Sequence, residues 1–100
     1  MEESKILDTS VLMTGMKGLT TIFSLVEFPR ALENGNSVIW PERRDYIKAI
    51  WLGEYLYDIG KPIQGIDLLI ASIALNRNLI LVTKDKHFER IPGLKFELIE

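Results

Sequence analysis

Apolar residues follow two rhythms along the chain. Lys5-Ile6-Leu7-Asp8 and Leu79-Ile80-Leu81-Val82 followed by Thr83-Lys84-Asp85 are short apolar runs closed by polar residues, the pattern of strands covered on both faces. Leu19 to Phe23, β-branched and aromatic, reads as a further strand, and the alternation of Lys95 to Ile99 reads as an edge strand. Between them the period lengthens. Ser24-Leu25-Val26-Glu27 has capping-box spacing and predicts a helix from Ser24 to about Leu32, distorted at Pro29. Glu33 to Ser37 reads as a turn-rich break. Pro41 then stands at the expected first position of the longest helix, whose apolar stripe (Tyr46, Ile47, Ala49, Ile50, Leu52, Leu56) runs to Ile59-Gly60. Ile66 to Leu75 is apolar nearly all round, as a helix buried between layers would be, while Val11 to Lys17 is too short and Gly-interrupted for a long helix. Strands joined by helical crossovers predict an α/β domain: a three-layer α/β/α arrangement with a small, mainly parallel sheet. Ligands of such sheets bind at the carboxyl ends of the strands, where Asp8 and Asp85 fall.

Composition narrows the chemistry. One hundred residues make a single domain, spanning 1–100. A formal charge of −2 removes the argument for nucleic-acid binding by a broadly basic surface. With no cysteine and His87 as the lone histidine, a metal would have to be held by oxygen. Met1 to Lys5 is acidic and polar and lacks the basic start of a secretory signal, and Gly18 to Val26 is far too short to span a membrane. A soluble, cytoplasmic protein is expected.

Four acids lie where the flanking residues predict burial: Asp8, Glu27, Asp67 and Asp85. Each has a local explanation, respectively a helix N-cap, the capping box, a first-turn acid favoured by the helix dipole, and a strand-exit turn residue. Together they suggest one site, because converging carboxylates repel one another and a hard cation such as Mg²⁺ or Mn²⁺ relieves that repulsion. Such a cage with open positions suits metal-assisted phosphodiester hydrolysis.

Ile6-Leu7-Asp8-Thr9-Ser10-Val11-Leu12, Glu27, Ile66-Asp67-Leu68-Leu69-Ile70-Ala71 with Ala74-Leu75, and Leu81-Val82-Thr83-Lys84-Asp85-Lys86-His87-Phe88 with Ile91-Pro92-Gly93-Leu94 resemble the PIN-domain family, most closely its VapC-type ribonuclease toxins. The resemblance covers almost the whole chain. It implies a metal-dependent endoribonuclease cutting single-stranded RNA by metal-activated water, with Asp8, Glu27, Asp67 and Asp85 as catalytic metal ligands. Thr9, Ser10 and Thr83 would be flanking polar groups, Ser10 standing where the family commonly has Asn. An antitoxin protein would be the partner. One departure is large: 18 residues separate Asp8 from Glu27, where the family usually inserts a full helix, so the first crossover helix is shortened or missing. That departure defines the alternative reading, a catalytically impaired PIN-like module that binds RNA or protein.

His87 is expected to be a partly exposed surface histidine, since one His without a nucleophile makes no triad. Arg43, Arg44 and Lys48 form a small basic stretch. Lys84 and Lys86, with Arg77 and Arg90, cluster in sequence around Asp85 and are the better candidates for substrate phosphate. Trp51, Tyr46 and Tyr55 on the long helix offer more apolar area than so small a domain covers, which predicts a homodimer.

Overall fold

A computed structural model describes residues 4–100; the polar start at Met1 to Glu3 lies outside them. Among the described residues the order is β1 (Lys5–Leu7), α1 (Thr9–Leu12), β2 (Leu19–Thr21), α2 (Ile22–Glu27), β3 (Ser37–Ile39), α3 (Arg43–Asp58), α4 (Gly65–Asn76), β4 (Ile80–Thr83) and β5 (Phe96–Leu98), with 3-10 turns at Pro29–Leu32 and Lys86–Arg90. The five strands form one sheet in the order β3-β2-β1-β4-β5, and every neighbouring pair is parallel.

Alternation along the central strands builds the layers. Ile6 and Leu81 point into a core with α3, α4 and Phe88, whereas their neighbours Leu7 and Val82 point into a second core with Val11, Leu12 and Leu25 on the other face. The result is three layers. Ile70, Ala71, Ile73 and Ala74 of α4 are wholly buried, in keeping with the apolar character of that segment. Gly53 on α3 allows the closeness of this packing, since a Cβ there would sit 3.2 Å from Leu68 of α4. At the far end of α3, Gly60 takes a φ of +75° and Lys61 N–H donates to Leu56 O at 2.8 Å, with Gly60 N–H donating to Tyr57 O: a Schellman closure that stops the helix where the sequence predicts.

Three local expectations need correction. The chain has a fifth strand, β3, inside what reads as a turn and its exit. Asn36 makes it possible by donating from Nδ2 to Ala31 O (2.8 Å) and accepting from Gly18 N–H (2.8 Å), which holds Ser37 to Ile39 alongside β2. Second, Ser24 does not cap α2. Thr21 does, its Oγ1 accepting from Ser24 N–H at 3.2 Å, so Ile22 and Phe23 enter the helix and Glu27 becomes its last residue. The helix also stops short of Leu32, because Phe28 is extended in φ before Pro29 and the chain resumes as a 3-10 turn. Third, α3 begins at Arg43, two residues beyond Pro41, with Glu42 N–H donating to the Asp45 carboxylate at 2.6 Å. The first crossover contains only the single-turn helix α1.

Strand order reverses between β1 and β4: from β1 the chain builds outward through β2 to β3, then returns to β1's other side. A crevice opens at that switch point beyond the carboxyl ends of the two strands. Asp8 follows β1 and Asp85 lies just past β4, so the topology itself brings the first and last candidate acids together.

Candidate functional site: four acids at the switch point

Asp8 is 3% exposed. Thr83 Oγ1 donates to its Oδ2 at 2.8 Å and Ser10 Oγ donates to the same oxygen at 3.1 Å. Both hydroxyls are relays: Thr83 Oγ1 also accepts from Asp85 N–H, and Ser10 Oγ accepts from Lys84 N–H, each at 3.1 Å. The loop after β4 is thereby latched onto the loop after β1. Burial pushes the Asp8 carboxyl above its ordinary range; the hydroxyl of Thr83, the Thr9 N–H and the hydroxyl of Ser10 work against that, and the charge of Asp85 adds to it. Thr83 is fully buried, so its influence on chemistry passes through Asp8.

Glu27 is exposed at the end of α2 and accepts from Thr9 Oγ1 at 2.7 Å, which ties it to the residue beside Asp8. Asp67 is in the first turn of α4. Its carboxyl is raised by burial, then by the charge of Asp8; His87 opposes the rise, and Glu27 and Asp85 add to it. Asp67 thus lies within electrostatic reach of Asp8, Glu27 and Asp85. Among the described residues, however, no three His, Cys, Asp or Glu side chains are drawn together tightly enough to hold a metal ion. The donor chemistry suits a hard divalent cation, with oxygen donors only and mutual repulsion that such an ion would relieve; binding would require the carboxylates to close in.

His87 is partly exposed, as expected, and its ring lies beside Asp67. Its Nε2 is buried, 3.2 Å from Asp67 Oδ2, yet makes no hydrogen bond. The ring rests on Phe88, with centroids 4.5 Å apart, and Phe88 is itself fully buried, anchoring the turn by about 1.5–3 kcal/mol of apolar burial. A depression of about 360 Å³ is bounded by Ile63 and Gln64 before α4, by Asp67 and Asp85, and by His87 and Arg90. Sequence reasoning read Pro62 to Gly65 as a plain connector, and only its position just before Asp67 hinted at more. Lys84 and Lys86 are exposed beside Asp85. Arg77 is not with them: it is bound to Asp45 at the opposite end of β4, Nη1 donating to Oδ1 at 2.8 Å and Nη2 to Oδ2 at 3.0 Å.

No family model and no curated protein matches the chain. Solved structures do. A DNA-bound VapBC from Salmonella typhimurium has a chain that superposes with a TM-score of 0.81 at 21% identity, covering 96% of this chain and 98% of that one. VapBC2 from Rickettsia felis, bound to a promoter DNA fragment, gives 0.77 at 22% over 96% and 98%. VapBC-5 from Mycobacterium tuberculosis, from a family of toxin-antitoxin systems, gives 0.76 at 20% over 99% of each chain. The chain has the PIN-like α/β fold of VapC structures. Among the described residues no helix is long and apolar enough to cross a membrane.

Proposed function

We propose that this chain is a divalent-metal-dependent endoribonuclease that cuts single-stranded RNA with water, and that it is the toxin of a toxin-antitoxin pair. What supports the reading is that Asp8 and Asp85 lie past the ends of the adjacent strands β1 and β4, and that Asp67 is close enough to Asp8, Glu27 and Asp85 to feel their charges. The fold it shares with chains of VapBC complexes supports an antitoxin partner. Bound Mg²⁺ or Mn²⁺ would supply Lewis acidity, activating water and balancing phosphate charge. The protein's own part is to hold the carboxylates: Thr83 and Ser10 fix Asp8, Thr9 fixes Glu27, and His87 stands against Asp67. The test is cleavage of single-stranded RNA with Mn²⁺, blocked by EDTA. Attack by water leaves a 5′-phosphate and a 3′-hydroxyl, whereas attack by the ribose 2′-OH leaves a cyclic phosphate. The four-residue α1 favours the second reading, an impaired binding module, and a folded chain that cuts nothing across a broad RNA panel would establish it.

The carboxylate cluster has a measurable cost. Because the folded state raises the Asp8 and Asp67 carboxyls, it holds their protons more tightly than the unfolded chain, so stability falls as pH rises from the ordinary value of 3.8 through their folded values. The cost is fully present above those folded values. Asp8→Asn should therefore melt higher than the wild type in EDTA, and Mn²⁺ should raise the wild-type Tm, with about 2.7 kcal/mol expected at a hundredfold excess over Kd. Equal Tm values for the two proteins in EDTA would count against a crowded cluster.

We further propose that α3 pairs with α3 of a second copy. Ile50 and Trp51 are 68% and 66% exposed, with Tyr46, Ile47 and Tyr55 beside them. Light scattering at micromolar concentration should return a dimer mass, and Trp51→Glu a monomer.

A further inference from the structure

The depression beside the acids does not end at His87 and Arg90. Those two residues are shared with a second depression of about 460 Å³, whose other walls are Lys61, Lys86 and Glu89. The sign of the charge changes along the way: Asp67 and Asp85 stand at one end, and three cations against one carboxylate at the other. Apolar surface lies elsewhere; the groove along α2, bounded by Ile22, Leu25, Val38 and Trp40, has no charged residue in its lining.

We propose that the two depressions form one trough for the phosphate backbone of single-stranded RNA, with Lys61, Lys86 and Arg90 as its phosphate-contacting residues. This rests on the endoribonuclease reading of the acids and gives it a direction: the strand leaves the acidic centre past His87 and along the α3–α4 connector. A strand passing an acidic centre needs cations on at least one side to offset repulsion from the carboxylates, and this trough supplies them next to Asp67 and Asp85. The backbone sets the three cations in place. Lys61 follows the Schellman closure of α3, its own N–H held by Leu56 O. Arg90 Nη1 donates to Pro62 O at 3.1 Å, which fixes the guanidinium against the connector and leaves its other N–H groups for phosphate. Lys86 opens the 3-10 turn anchored by Phe88. At the junction, His87 Nε2 lies 3.2 Å from Asp67 Oδ2, which joins the acidic end of the trough to its cationic end.

The test measures binding without cleavage. Fluorescein-labelled oligouridylate is titrated with the full chain in EDTA, by anisotropy, at several salt concentrations. Lys61→Glu and Lys86→Glu are exposed substitutions and should each weaken binding about tenfold and make the salt dependence shallower by roughly 0.7 in log-log slope. Arg43→Glu, on the exposed first turn of α3 outside the trough, should bind as the wild type does. Lysine variants that bind like the wild type, an equal loss in Arg43→Glu, or no binding by the wild type would each overturn the trough. If the lysine variants bind normally while Mn²⁺-dependent cleavage persists, the trough fails and the endoribonuclease stands. If the variants lose binding but no protein cuts RNA, the endoribonuclease reading fails and the trough stands.

Discussion

Asp8→Asn and Asp67→Asn should each reduce RNA cleavage by at least about a hundredfold while leaving the chain folded. Substitutions of groups that merely orient a ligand commonly cost 10–100-fold, and these two acids are the proposed ligands themselves. The two losses should differ in origin. Asp8 receives hydroxyl donors from both latched loops, so Asp8→Asn changes the group at the centre of a network yet keeps an oxygen to accept those bonds. Among the described residues no hydroxyl donates to Asp67, which stands against His87, so Asp67→Asn changes its charge without disturbing the latch. Cleavage rate and circular dichroism measured on the same preparations check this. Retention of full activity by Asp8→Asn, with wild-type cleavage sensitive to EDTA, would remove Asp8 from the site.

The largest loss of stability should come from a residue remote from the acids. Asp45 is wholly buried in α3 and is enclosed by bonds: two from the Arg77 guanidinium, one from Asn76 Nδ2 at 2.9 Å, and one from Glu42 N–H. Burial alone would raise its carboxyl, but the Arg77 hydrogen bonds, with Glu42 N–H and Asn76 behind them, outweigh burial and lower it to about 2. Asp45→Ala would strip the partly buried Arg77 of its two shortest carboxylate bonds and leave it only Glu42 Oε1 at 3.4 Å and Ile73 O at 3.1 Å, a change that costs about 3 kcal/mol. At roughly 4–8 °C per kcal/mol for a domain of this size, Tm should drop by well over 10 °C, while Arg44→Ala, an exposed neighbour, should move it little. The sign with pH is opposite to that of the site. A lowered carboxyl contributes stability above its ordinary value of 3.8, and that contribution disappears as pH falls through about 2. Metal-free protein should accordingly gain stability as pH falls through the raised values of Asp8 and Asp67, before losing it as pH falls toward about 2 and Asp45 accepts its proton.

Much of the architecture was legible because its signals are local. Ile6-Leu7 and Leu81-Val82 could be read as strands buried on both faces since each residue in the pair feeds a different core. The four acids stood out because they interrupt apolar runs. What escaped depends on pairs distant in sequence. β3 exists because Asn36 reaches both Ala31 and Gly18, and nothing in Ser37-Val38-Ile39 alone announces that β2 will lie beside it. Arg77 was assigned to the Asp85 cluster by proximity along the chain, but β4 runs the full depth of the sheet between them and delivers them to opposite ends. Asp45 does carry a local signal: Glu42 and Asp45 have capping spacing, three residues apart just before an apolar stripe. His87 could not be placed from sequence, because the direction of its ring is set by the packing of Phe88.

The latch between Thr83 and Asp8 joins residues 75 positions apart, and the central strand β1 pairs on one side with β4. During synthesis β1 and its neighbour β2 are made early, but β4, the neighbour on the other side, does not exist until about four fifths of the chain has been assembled. Until then Asp8 lacks its buried hydroxyl partner and the crevice has one wall. Parallel pairing of such separated segments is slow to form, since a long loop must close before any contact rewards it. A growing chain therefore passes most of its synthesis without the crevice, and a premature stop anywhere before Ile80 yields a fragment that lacks β4 and Asp85 altogether.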